Sequence, residues 1–120
     1  MAAEPTLSDW ARSRVDVALV KPLAQMQTHR FSRERPPPRE RRVRILQTTA
    51  SVDDSGRAFV PFVIDVRFGS EWRDDIAGCV YKGSGNIFVK KGDAYRPAAF
   101  LLGKKADPVA GVCEAGAARS

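Results

Sequence analysis

Residues 57–68 read RAFVPFVIDVRF. Val60, Phe62, Ile64, Val66 and Phe68 fall on every second position, with Asp65 and Arg67 between them. That two-residue period belongs to a strand that buries one side and shows the other to water. The five apolar side chains are therefore expected on the core and Asp65 in solvent, where Asp65→Ala would cost less than about 1 kcal/mol. Pro61 has no N–H to give a neighbouring strand, so an edge or a bulge is expected there.

Outward from this strand, short runs of Val, Ile, Thr and Phe alternate with Gly and Asp. Such texture predicts strands separated by tight turns. A first strand is expected over 43–52, turning at Asp53-Asp54-Ser55-Gly56 into the strand just described. A third follows Gly69-Ser70 over 76–82, and Gly83-Ser84-Gly85-Asn86 turns it into a fourth over 87–91. Gly92-Asp93 leads to a fifth over 95–102, weakened by Pro97, and a last short strand is expected over 109–113. Sequential strands joined by short turns pair with their neighbours, which makes residues 43–114 an antiparallel meander followed by a fraying tail, 115–120.

The meander needs a cover, and only residues 1–34 offer one. Thr6 suits a helix N-cap, and Leu7, Trp10, Ala11, Val15, Ala18 and Leu19 recur at spacings of three and four. Val15, Val17 and Leu19 also alternate, but the flanking pattern favours helix. Pro22 removes one helical donor and disfavours helical geometry at Lys21, predicting a bend near 20–22 before a continuation through Leu23, Met26 and His29. The expected fold is thus α+β: an N-terminal kinked helix packed on an antiparallel β-meander of four to six strands. This is a roll, resembling cystatin-like folds in broad architecture alone; the alternative is a small β-barrel with the helix outside.

At 120 residues the chain makes one small domain. Its longest apolar run, Phe59 to Ile64, is far short of the roughly 20 residues that span a bilayer. No basic n-region and apolar h-region open the sequence, so no secretory leader and a cytoplasmic location are expected. Cys79 and Cys113, the two cysteines, then read as reduced thiols in a cytosol. One bridge between them is the alternative that spacing leaves open.

Catalytic chemistry finds no constellation. His29 is the single histidine, placed at a helix end with no nameable partner. Two cysteines and one histidine lack any short ligand pair, and Asp53-Asp54 and Asp74-Asp75 lack the alternating acids of a calcium loop, so both acidic pairs read as turn chemistry. Gly83-Ser84-Gly85 lies in a hairpin and does not open a helix, against a phosphate loop. Arg35-Pro-Pro-Pro-Arg39 has the letters of the RxxxR segment of PilZ domains, but Ala58 stands where their DxSxxG motif needs Gly, and the resemblance is not adopted. No catalytic residue, cofactor or metal is assigned.

Charge is the remaining signal. The chain carries +6, and residues 30–44, RFSRERPPPRERRVR, hold +5 of it: Arg30, Arg33, Arg35, Arg39, Arg41, Arg42 and Arg44 against Glu34 and Glu40. Pro36, Pro37 and Pro38 favour an extended spacer over 35–42. These seven arginines are the candidate binding residues, either for a protein partner or self-association, or for nucleic acid through counterion release. Arginines packed onto acids of the sheet are the plain alternative. A non-enzymatic docking module is the preferred function, a nucleic-acid-binding accessory protein the second, and a small-ligand-binding roll the third. Replacing Arg39, Arg41 and Arg42 is expected to leave the fold intact.

Overall fold

The structure, a computed structural model, describes residues 6–30 and 40–114, without the side chains of 27–30. Helix α1, Leu7–Val15, runs through a π-helical turn, Asp16–Val20, into α2, Lys21–Arg30. Thr6 caps it as expected, its Oγ1 accepting from the Asp9 amide at 3.1 Å. The irregularity foreseen at 20–22 takes the form of the π turn: Pro22 has no amide to continue the ladder, and Lys21 donates to the Asp16 carbonyl five residues back. Ala11, Val15, Leu19 and Leu23, four residues apart, form the buried stripe.

Six antiparallel strands follow: β1 Glu40–Ile45, β2 Ser51–Val52, β3 Ala58–Phe68, β4 Glu71–Tyr81, β5 Ile87–Lys91 and β6 Ala94–Pro97. They form an open sheet in the order β1-β3-β4-β5-β6, with β2 beside β1 on the same side of β3. The α+β helix-on-sheet expectation holds, and the open order replaces the barrel alternative. On the inner face, Val60, Phe62, Ile64, Val80, Ile87 and Val89 pack under the helix stripe. The Phe62 ring lies over Gly78, its cross-strand partner, where a Cβ would come within 2.8 Å of the ring and 2.2 Å of the Phe88 carbonyl oxygen.

Several expectations need correction. The first strand begins at Glu40, so residues 40–42 are sheet and not spacer, and it breaks after Ile45. Leu46 donates to the Pro61 carbonyl at 3.1 Å, but Pro61 has no N–H to return. β3, paired with β1 on one side and β4 on the other, is an interior strand whose proline ends its neighbour, and the bulge falls on β4, where Asp75 is the extra residue between the partners of Ile64 and Asp65. β4 starts five residues early because Trp72, Arg73 and Asp74 find cross-strand partners on β3. Beyond Pro97 the chain enters a 3-10 turn, Ala98–Leu102, and residues 109–113 form no strand. Phe68 is 45% exposed, whereas Asp65 is buried at 2%.

Cys79 of β4 and Cys113 are joined in a disulfide, with Cα atoms 5.8 Å apart, which overturns the expectation of reduced thiols. Val112 sits beside it on the outer face against Phe59 and Tyr81, with Phe88 and Tyr95 around them. The Tyr81 hydroxyl donates to Asp53 Oδ2 at 2.7 Å and accepts from the Cys113 amide at 3.2 Å. The chain after β6 thus covers one half of the outer face.

Candidate functional site

The other half of the outer face carries the candidate site. Strand alternation places Glu40, Arg42 and Arg44 of β1, Asp65 and Arg67 of β3, and Trp72 and Asp74 of β4 on this side. Asp65 is the centre. It accepts from Arg42 Nε at 2.9 Å, and from Arg44 Nε at 3.2 Å and Nη2 at 3.3 Å. Arg44 Nη2 also donates to Asp74 Oδ1 at 3.0 Å, and Arg67 pairs with Glu40. The Arg42 guanidinium lies 4.1 Å above the Trp72 ring and that of Arg67 5.8 Å from it.

Hydrogen bonds from Arg44, then Arg42, outweigh burial and pull the Asp65 carboxyl down to about 2. Asp65 is consequently ionised at neutral pH, and its charge holds two half-exposed arginines flat against the sheet. Three arginines meet three carboxylates, so this face is charge-rich and balanced.

Of the seven sequence-selected arginines, Arg42 and Arg44 are brought together here. Arg41 points to the inner face, as its neighbours' alternation demands; its guanidinium is partly buried, desolvation lowers its pKa against the pull of Asp75, and its Nε has no hydrogen-bond partner among the described residues. Arg33, Arg35 and Arg39 lie outside the described residues, as do the side chains of Arg30 and His29 and the 115–120 tail. The plain alternative, arginine packed onto sheet acids, is what Arg42 and Arg44 do. Asp65, Arg67, Trp72 and Asp74 were missed as participants. The signal available for them was Arg42 and Arg44 two apart in one strand, and Asp65 and Arg67 two apart in another.

A second buried carboxylate, Asp53, has a structural setting. Besides Tyr81, its Oδ1 accepts from the Ser55 amide at 2.9 Å, Ser55 Oγ at 2.7 Å and the Arg57 amide at 2.9 Å. The Tyr81 hydrogen bond foremost, with those of Ser55 and Arg57, holds it well below the usual carboxylate range. This bears out the turn reading of Asp53-Asp54. Beside it, an open cleft of about 500 Å³ is lined by Arg57, Tyr81, Lys82 and Ser84. Tyr81 is otherwise core, Tyr95 packs on that core, and Trp72 lies among arginines, so the three aromatics do not converge on one pocket. Among the described residues no group of three or more His, Cys, Asp or Glu is placed to hold a metal ion, and no helix is long and apolar enough to cross a membrane.

Compared with known protein families, curated proteins and solved structures, the chain matches none.

Proposed function

We propose that this chain is a non-enzymatic module that docks a protein partner through its sheet and its basic first strand. The observation that carries this reading is the half of the outer face that no described residue covers, where Arg42 and Arg44 are neutralised by Asp65 and Asp74 around Trp72. Phosphate binding draws on cations free to replace counterions. Here the cations are already matched, and Arg41 lies on the opposite side of the sheet. Arginine stacked on tryptophan, with its charges oriented, supplies instead the residue types that dominate protein interfaces. The disulfide favours an oxidising compartment over the cytoplasmic location expected from sequence.

A photo-crosslinking residue at Val63 or Ala77, paired neighbours on the outer face beside Arg44, with Lys91 on β5 as control, tests the reading in cells. Discrete adducts that survive nuclease and disappear with protease are expected from the first two positions. Nuclease-sensitive adducts would replace this reading with the nucleic-acid one, and an absence of adducts would remove both.

A further inference from the structure

The two edges of the sheet are finished differently. On β6, the Tyr95 carbonyl is taken by the Val109 amide at 2.9 Å, and Pro97 ends the strand, so the segment tied down by the disulfide closes that edge. On β1, Leu46 donates to Pro61, which fixes the parity of the ladder: residues 42, 44 and 46 turn their main-chain groups toward β3. Arg41, Val43 and Ile45 therefore aim their N–H and C=O away from it, and among the described residues nothing takes them.

Resting on the docking reading above, we infer that β1 accepts an extended partner segment alternating acidic and apolar residues, which adds to the sheet as an antiparallel strand. Paired with Arg41, Val43 and Ile45 through hydrogen bonds, such a strand sets its intervening residues opposite Arg42 and Arg44. These are the non-hydrogen-bonded positions, where side chains approach most closely. Both guanidiniums are held on the outer face by Asp65 and remain about half exposed, at 50% and 45%. Arg42 gives only its Nε to Asp65, and Arg44 its Nε and Nη2 to Asp65 and Asp74, so a carboxylate opposite each accepts from the guanidinium N–H groups that remain, by directed hydrogen bonds and not by unmatched charge. On the inner side the edge is bounded by Arg41 at its start, then by Val43, Ile45 and the π turn packed on β1, where Val17 is 54% exposed, and apolar residues suit the positions opposite Val43 and Ile45. A second copy does not fit. Pairing β1 with itself about a two-fold centred anywhere from Arg41 to Arg44 sets Arg41 against Arg41, Arg42 against Arg42, Arg42 against Arg44, or Arg44 against Arg44, and like charges directly opposite repel. The same arginines repel any basic strand.

The test uses the intact protein and labelled eight-residue peptides. One alternates Glu and Val, an isomer has the same residues in two blocks, and a third alternates Lys and Val. The alternating acidic peptide is expected to bind at least about tenfold more tightly than either other peptide. Its binding should slow hydrogen exchange at the Arg41, Val43 and Ile45 amides, which face outward in the free protein. N-methylation of the peptide amides that face β1 should abolish binding, while methylation of the alternate set should not, a comparison that leaves the protein unaltered. Equal binding of the block isomer, or binding without protection of those three amides, would overturn strand addition. So would no binding. In each case nuclease-resistant adducts at Val63 or Ala77 would keep the docking reading in place by another surface.

Discussion

Asp65 concentrates what one residue does here. Its carboxylate is removed from water and compensated by two arginines, so truncating it strands two guanidiniums over an apolar gap. Asp65→Ala is expected to lower stability by about 1.5–3 kcal/mol in urea unfolding, the range for hydrogen bonds to charged groups, and not the marginal cost its position in the alternation implied. Because the folded carboxyl lies at about 2, below its unfolded value, the contribution is complete above pH 4 and is lost as pH falls from about 4 toward 2. Asp65→Asn should flatten that acid limb, measured as unfolding free energy against pH. Gly78 answers to shape instead. Any Cβ there meets the Phe88 carbonyl and the Phe62 ring, and Gly78→Ala should cost more than about 1–3 kcal/mol, because backbone must move along with side chains.

Among the elements, the segment after β6 is the one whose role depends least on local structure. It forms neither helix nor strand over 109–114, yet it buries Val112 and closes the β6 edge. The disulfide ties it to β4 across a separation of 34 residues, for which loop-closure entropy gives about 3–4 kcal/mol. The Cys79→Ser, Cys113→Ser double variant should lose that much in urea unfolding, with the loss matched by adding a dithiol reductant to the native protein. Phe59 and Tyr81 amides should then exchange faster than those of Phe62 and Ile64. Strand β1 shows the opposite case, an element with clear local propensity whose length was misjudged. Its end is set by Pro61, a residue sixteen positions away from Ile45.

For the whole molecule, the arginine-rich stretch is divided by the sheet into two faces, and this changes what its charge does. If Arg42 and Arg44 held phosphates, replacing both with Ala would reduce the log-log salt slope by about 1.8 for duplex DNA and about 1.4 for single-stranded RNA of random sequence. The paired geometry predicts a reduction below about 0.5, read by anisotropy over a salt series. The same double variant leaves Asp65 buried without partners and should lose about 3 kcal/mol of stability, contrary to the expectation that arginines of this stretch can be replaced freely.

The helix with its Thr6 cap, the apolar faces of β3 and β5, the hairpin turns and the α+β class were legible from residues alone. Each depends on contacts within a turn or on a period of two or four positions, and such information is local. What the tertiary structure decided is pairwise and distant. The burial of Asp65 depends on arginines more than twenty positions earlier, and the end of β1 on a missing N–H in β3. The order of the sheet's edges and the joining of Cys79 to Cys113 likewise follow from which strands lie side by side. Polar strands such as Trp72–Asp74 stayed hidden for the same reason: a charge reads as solvent-facing until its partner is known, and sequence spacing does not fix the partner.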